Sequence, residues 1–472
     1  MNVDVLIAGA GPAGLAAGIE LRRLGVGRVL IADREAEAGG VPRHSAHTGY
    51  GLRDLRRVMT GPAYARHYAR AAVEAGAEVR AGTTVTGWPG WAGPGEATGR
   101  TGSTDPDGAT RRTGSTDPDG DTRPTGPTDP DGPTGRSSST GPAGPVGPGA
   151  PGGPISVTLT SADGIETVTA SAVLLATGCR ERPRAARLVP GGRPPGVMTT
   201  GELQQRVYLH GQRLPGRALV IGAEHVSFSA MVTLAHAGAD VLALVTDQPR
   251  HQSFAAFALA AAARWRTPVW TTTAVRRIAG RDRLEGVELA DLRTGGTRFV
   301  GCDTVVFTGD WIPDHELARL AGTQLDPGTR GPAVDTTLET SIPGVFAAGN
   351  LVHAAETADV AAAGGRHAAR YIAAALRGGP PPRGPRIPVT VAAPLRWISP
   401  SAIRAGGPPP ARGHFLLRGD VFRRAARLEV RQGDRVLAAA RTRLVPGRPA
   451  HLGAGWMARA DPSAGPVLIV LR

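Results

Sequence analysis

The sequence predicts an α/β protein built on parallel sheets with a small β domain at its C-terminal end. Three observations carry that expectation. An apolar strand runs straight into a glycine-rich turn and helix within residues 3–24, a second strand–turn–helix–strand period spans residues 217–247, and short strands alternate with turns after residue 386. In the first unit Val3, Val5, Leu6 and Ile7 form the strand, and Gly9, Gly11 and Gly14 follow at G-x-G-x-x-G spacing, with Pro12 and Ala13 between the last two. Gly9 suits the tight turn, Gly11 lets backbone approach a pyrophosphate, and Gly14 lets the helix pack on the strand. The helix is expected over Leu15 to Leu24, its N-terminal amides presenting partial positive charge to phosphates. A second strand, Arg28 to Ala32, ends at Asp33, with Arg34 beside it. A carboxylate there can accept both ribose hydroxyls of an adenosine. The glycine motif alone is weak in a chain with 66 glycines; the βαβ period closing on an acidic residue gives it weight.

Length and composition bound the rest. A chain of 472 residues holds two or three domains. The nucleotide-type strand begins at the third residue, which leaves no room for a secretory signal, and no apolar run reaches the roughly 20 residues of a membrane span, so a cytoplasmic location is expected. Cys179 and Cys302 are the only cysteines, far apart, so neither a C-x-x-C redox pair nor a thiolate metal site is available and no metal is expected. All 54 basic residues are arginine; from Arg377 onward 17 Arg face four acids. These arginines have few interleaved aromatics and no recognition helix, so nucleic acid is not an expected partner. A solvated basic face or a subunit-docking surface is expected instead.

In chain order, Gly39-Gly40 allows the next loop to pass close beneath a pyrophosphate, and the loop continues through Arg43, His44 and His47. Thr60-Gly-Pro-Ala-Tyr64 reads as an N-cap and Pro-containing first turn of a helix to about Ala75. Glu78 to Trp88 reads as two strands, with Val85 placed to offer backbone groups to an adenine. Residues 93–154 carry a period of 12 around Thr-Asp-Pro-Asp-Gly. With almost no apolar residue to make a core and no bidentate Glu to close each loop, this is expected to be a disordered insertion at a hairpin tip rather than a calcium repeat. Strand pattern resumes at Ile155, turns at Asp163-Gly164, and ends in Ala176-Thr177-Gly178.

The opening G-x-G-x-x-G, the Ala-Thr-Gly closing a meander, the second βαβ unit and a late Pro343-Gly-Val-Phe-Ala-Ala-Gly349-Asn350 occur in the order of one large group. The chain resembles flavoproteins with two dinucleotide-binding domains, of the glutathione reductase and thioredoxin reductase type, over residues 1 to about 377 apart from the insertion. The resemblance implies FAD in the first, Rossmann-like domain. It implies that Gly349-Asn350 takes the place of the motif whose usual Asp bonds the ribityl chain. It also implies that the helix beginning near Thr357 points its N-terminus at the flavin pyrimidine. Lacking a cysteine pair, the chain is more similar to the flavin subunits of opine oxidase, hydrogen cyanide synthase and dye-linked proline dehydrogenase, which oxidise amines or amino acids, often with a partner subunit. Cys179 is read as a small buried residue.

The second unit departs from the motif. Gly222-Ala-Glu224-His-Val-Ser227 reads G-x-E-x-x-S, and Glu224 puts bulk and negative charge where a pyrophosphate needs bare backbone. A degenerate Rossmann-like domain that disfavours NAD(P) is therefore expected. The expected organisation is an FAD domain at 1–92, 155–205 and 310–377, the insertion at 93–154, the second domain at 206–309, a linker at 378–387, and a basic β domain at 388–472. The function this implies is FAD-dependent oxidation of a small substrate, an amine or amino acid, by hydride transfer to flavin. An NAD(P)H-dependent flavin reductase and an electron-transfer or scaffold flavin subunit, serving a partner subunit or electron acceptor, stay open beside it. Arg43, His44 and His47 are the catalytic candidates. A histidine can take the proton an amine must lose, and Arg43 can hold a carboxylate by a bidentate pair. Equally open is that both histidines only hydrogen-bond loop backbone.

Overall fold

The computed structural model describes residues 1–89, 153–379 and 384–472. The repeats at 93–154 fall outside the described residues but for the last two. Asn2–Ala8 is the central strand of a seven-stranded sheet, running parallel to Val29–Ala32 on one side and to Gly164–Leu175 on the other. Leu6, Ile7, Leu30 and Ile31 lose all contact with water, as the near-continuous apolar strands of a parallel sheet covered on both faces should. Gly164–Leu175 changes partners along its length. Its first half pairs antiparallel with Ile155–Ser161, whereas its last residues lie between Asn2–Ala8 and Val345–Ala347. Gly164 holds the turn at φ +120°, a conformation a side chain resists.

Helix α1 (Pro12–Arg23) starts with proline at its first position and helix α2 (Gly61–Glu74) is capped by Thr60, whose Oγ1 accepts the Ala63 N–H at 3.4 Å. Both match the expected starts to within a turn. A short helix α3 (Thr200–Gln204) leads into one turn of π-helix, Gln205–Leu209. The second parallel sheet orders Val197–Thr199, Thr304–Phe307, Gly216–Ile221, Ala239–Val245 and Val269–Trp270, with α4 (His225–Ala237) and α5 (Ala255–Trp265) between its strands. A meander of Thr273–Gly280, Leu284–Asp291 and Thr297–Gly301 returns the chain. The two passages between the sheets pair with each other, Trp311–Pro313 against Cys179–Glu181. After α6 (Glu316–Leu320) the chain re-enters the first sheet, and α7 (Ala358–Leu376) crosses α1 so closely that a side chain on Gly365 would collide with the Ala13 carbonyl. Among the described residues no helix is long and apolar enough to cross a membrane.

Residues 384–472 form five- and three-stranded sheets around Ile387, Phe415, Leu428 and Trp456. Leu395–Ser399, Ala402–Arg404 and Ala450–Gly453 are strands that the sequence pattern does not announce. The arginines of this module differ from the expected solvated face. Arg404 pairs with the fully buried Asp335 at 2.7 Å and with Glu339 at 3.2 Å, and Arg386 donates to the Glu339 and Thr340 carbonyls at 2.8 Å. Arg418 donates to the Ala355 carbonyl at 2.7 Å and to Glu356 at 3.0 Å, and Arg412 lies 3.5 Å from Asp359. Part of the basic surplus thus docks the module onto acids of its own chain.

Candidate functional site

The two glycine turns share a backbone plan and differ in what fills them. At the first, a side chain on Gly9 would meet the Ala176 carbonyl, and one on Gly14 would collide with the Gly9 carbonyl, so both glycines are required by close packing. Around Gly11, by contrast, there is open space, and α1 begins there with no side-chain cap on its amides. Asp33 accepts the Ala10 N–H through Oδ2 at 2.5 Å and the Glu35 N–H through Oδ1 at 2.9 Å. It thereby braces the turn and keeps lone pairs for hydroxyl donors, since each carboxylate oxygen accepts more than one bond. Gly40 passes so near Gly11 that its Cβ would lie 2.9 Å from the Gly11 Cα. The open turn, bare helix start and braced carboxylate fit an adenosine diphosphate moiety.

The remaining candidates surround that turn. Arg34 is exposed, 3.9 Å from Glu35 and from Asp314. Val85 is buried on the edge strand Thr84–Gly87, paired with Leu159. Ala176 is buried, Thr177 donates its hydroxyl to the Asp314 carbonyl at 2.7 Å, and Gly178 turns the chain at φ +80°. Gly349 packs against Ala13. Asn350 is engaged at both ends of its amide by the backbone of Glu356, at 3.2 and 2.9 Å, which ties the loop that delivers Thr357 to the start of α7.

The three catalytic candidates separate. Arg43 is turned back on its own loop, 3.6 Å from Glu35 and 3.4 Å from Glu37. Its Nε is buried without a partner. Both ring nitrogens of His47 are bonded within the loop, Nε2 to Ser45 Oγ at 3.0 Å and Nδ1 to the Thr48 carbonyl at 2.9 Å, so the bland reading describes His47. His44 is different. It is 7% exposed and its Nδ1 has no partner. Burial, more than the neighbouring Arg43, lowers its pKa against the opposing influence of Gln204, keeping it neutral near pH 7.

Two further groups carry no sequence signal. Glu181 is buried between the two sheets, its Oε2 accepts the Gly201 N–H at 2.7 Å, and its Oε1 has no partner. Burial pushes its carboxyl up to about 7. His353 stacks on Trp397 of the C-terminal module at 6.0 Å, and burial brings its pKa down to about 4. The cysteines are free. Burial pushes the Cys179 thiol well above its usual range and that of Cys302 up to about 12, so neither forms the thiolate that disulfide exchange needs.

At the second turn, Glu224 occupies the space that Gly11 leaves open. Its Oε2 accepts the Ala223 N–H at 3.0 Å, its Oε1 accepts the Thr308 hydroxyl at 2.6 Å, and its own N–H donates to Ser227 Oγ at 3.2 Å. The following loop closes over it. The Gln252 N–H donates to the Ala223 carbonyl at 3.0 Å, His225 Nδ1 lies 2.5 Å from Ser253 Oγ, and Phe254 stacks on the His225 ring at 4.4 Å. Arg448 of the C-terminal module lies 3.8 Å over Phe254.

Residues 153–365 match the family model described as pyridine nucleotide-disulphide oxidoreductase, and residues 2–49 match that described as FAD binding domain. A comparison with curated proteins returns no match. Among solved structures, the thioredoxin reductase of T. acidophilum is similar at 20% identity and TM-score 0.56, covering 79% of this chain and 98% of that one. The Lactococcus lactis thioredoxin reductase is similar at 16% identity and TM-score 0.56, covering 80% and 99%. The bacillithiol disulfide reductase of Bacillus cereus is similar at 18% and 0.54, covering 79% and 100%. At these identities the structures show a shared fold. With both family matches and an open first turn, the chain is an FAD-dependent oxidoreductase, a pyridine nucleotide-disulphide oxidoreductase-like FAD protein.

Proposed function

We propose that the protein oxidises a small amine or amino acid directly at its FAD, without a nicotinamide cofactor and without a dithiol relay. The observation that carries this reading is the filled second turn. A carboxylate already accepts the amide that a pyrophosphate would need, and a like charge brought to about 4 Å is repelled by about 4 kcal/mol at an effective dielectric near 20. Reducing equivalents then enter from the substrate itself. The two free cysteines, whose thiols are both pushed above their usual range, support the same conclusion, because a disulfide substrate needs a reactive thiolate. The resemblance to flavin subunits that oxidise amines and amino acids favours that substrate class.

In this reading Gly9, Gly11, Pro12, Ala13, Gly14, Asp33, Arg34 and Gly40 hold the adenosine diphosphate half of FAD. Val85, Ala176, Thr177, Gly178, Gly349, Asn350 and Thr357 line the remainder. Bound FAD supplies the acceptor for the two electrons that leave with the substrate hydride. His44 takes the proton: the substrate ammonium gives one proton to Nδ1, and the neutral amine so formed can lose hydride from its α-carbon to give an iminium ion, the protonated imine. Burial keeps this imidazole neutral, so its unoccupied nitrogen is available as a base near pH 7.

The test is anaerobic titration of the FAD-loaded chain with NADH, with NADPH and with a panel of amines and amino acids, following loss of flavin absorbance. Bleaching by one amine or amino acid and by neither nicotinamide is expected. Rapid stoichiometric bleaching by NADH or NADPH overturns the proposal in favour of a reductase.

A further inference from the structure

We propose that Arg418 of the C-terminal module is a positioning residue for the cofactor, holding from outside the loop that joins Asn350 to α7; the inference rests on the reading that Asn350 and Thr357 line FAD. Both ends of this loop are packed beside the first glycine turn. At its start, a Cβ on Gly349 would lie 2.7 Å from that of Ala13 on α1 and 3.7 Å from that of Ala361 on α7. Beyond its end, α7 crosses α1 where Gly365 meets the Ala13 carbonyl. These close approaches fix the two ends. Residues 352–357 between them belong to no helix or strand, so side-chain contacts must set their position.

Glu356 is the hub of that segment. Its backbone engages the Asn350 amide on one side, the carbonyl accepting from Nδ2 at 3.2 Å and the N–H donating to Oδ1 at 2.9 Å. Its side chain, 4% exposed, meets Arg418 on the other, where Nη2 donates to Glu356 Oε1 at 3.0 Å and to the Ala355 carbonyl at 2.7 Å. Trp397 completes the grip, with the His353 ring stacked on it at 6.0 Å and the Arg418 guanidinium 5.3 Å from its ring centre. Trp397 and Arg418 lie directly opposite each other on paired strands, Leu395–Ser399 and His414–Gly419, so the register of the module's own sheet sets them side by side. Arg412 adds a longer contact, 3.5 Å from Asp359 in the first turn of α7. Without the Arg418 guanidinium, the Glu356 carboxylate is buried without its ion-pair partner and must turn toward water or take up a proton, and the Ala355 carbonyl loses this donor. The backbone that engages Asn350 then shifts with it. The module's other docking cluster, Arg404 and Arg386 on Asp335, Glu339 and Thr340, touches none of the residues read as holding FAD.

The experiment needs no substrate. Deflavinated full-length protein is titrated with FAD, and the affinity and the visible spectrum of the bound flavin are read beside the melting temperature of the apoprotein. A loop that keeps its binding conformation roughly a tenth of the time binds about tenfold more weakly, and that loss, with a shifted flavin absorption band, is expected for Arg418→Met. Arg418→Lys, which keeps the charge, should recover part of both. Arg404→Met loosens the module at the other cluster and is expected to lose melting temperature while keeping wild-type FAD affinity and spectrum. In Arg418→Met/Glu356→Gln the stranded charge is gone, so melting temperature returns toward wild type while FAD affinity stays weak; this double variant carries the test if the single one does not fold. Arg418→Met protein that binds FAD as tightly as wild type with an unchanged spectrum, an equal loss of affinity in Arg404→Met, or wild-type affinity in the double variant overturns the proposal. Failure of the underlying reading is seen separately: Asn350→Ala protein with wild-type affinity and spectrum removes this loop from the cofactor site, whatever Arg418 does.

Discussion

Gly11 and Glu224 hold the same place in two copies of one turn, and the difference of a side chain decides what each turn can accept. At Gly11 there is open space above backbone amides; at Glu224 the amide is already bonded. Gly11→Glu is therefore expected to yield folded protein without visible flavin absorbance after incubation with FAD, whereas wild type reconstitutes to a yellow holoprotein. Glu181 carries a second prediction. Burial raises its carboxyl from 4.5 to about 7, so the folded chain holds a proton there that the unfolded chain has released. The penalty for ionising Glu181 is absent below pH 4.5, grows as pH rises through the interval to 7, and is fully present above it. Glu181→Gln can keep an acceptor for the Gly201 N–H and cannot ionise. It should match wild type at pH 4.5 and exceed it at pH 8 by about 3 kcal/mol, from the shift of some 2.5 units, read as a melting temperature that gains on wild type as pH rises. Some of this scale was legible in sequence. Gly9 and Gly14 answer to packing within a few residues, which a local pattern records. His44 and His47 look alike in the chain. They separate only through burial, which leaves His44 Nδ1 without a partner, whereas His47 reaches Ser45 and the carbonyl of Thr48.

Among the elements, the loop between Ala239–Val245 and α5 deepens what Glu224 begins. Gln252 bonds the turn, Phe254 covers His225, and Arg448 covers Phe254. Opening the turn by one substitution leaves this cover in place. Glu224→Gly is accordingly expected to gain no rapid bleaching by NADH or NADPH in stopped-flow measurements, and wild type to show none either. Rates comparable to those of a reductase in Glu224→Gly alone would show that the carboxylate is the whole barrier. The sequence departs from the glycine motif visibly at Glu224, but the covering loop is assembled from Gln252, Phe254 and a residue almost 200 positions later. No local signal could announce it. The same limit explains the strands Leu395–Ser399 and Ala402–Arg404, which are separated by Pro400 and of which the second carries Arg404, docked inward on Asp335. Alternation of apolar and polar residues fails as a guide where a charged side chain faces a buried acid.

For the whole molecule, the C-terminal module is held by charge as well as by apolar packing. Asp335 is fully buried and relies on Arg404 at 2.7 Å, with Arg386 3.7 Å away. Removing one partner of a buried pair leaves an uncompensated charge at a cost of about 3–5 kcal/mol. Arg404→Met should lower the denaturation midpoint by a corresponding amount, while Asp335→Asn in the same background recovers part of the loss. The insertion is the opposite case. Strand Thr84–Gly87 pairs antiparallel with Ile155–Ser161, Val85 opposite Leu159, so the chain leaves and re-enters the sheet at neighbouring positions. Trp88 closes this end by donating its indole N–H to the Leu317 carbonyl at 3.0 Å. A hairpin needs only two to five residues to join such strands, and loop-closure entropy changes slowly with length, by about 0.6 kcal/mol for each doubling. Replacing residues 93–154 by a short Asn-Gly turn, with Trp88 kept, should therefore leave FAD content unchanged and the melting temperature level or slightly higher. A variant that fails to fold, or that folds and loses FAD, would show that these residues pack against the sheet or the cofactor.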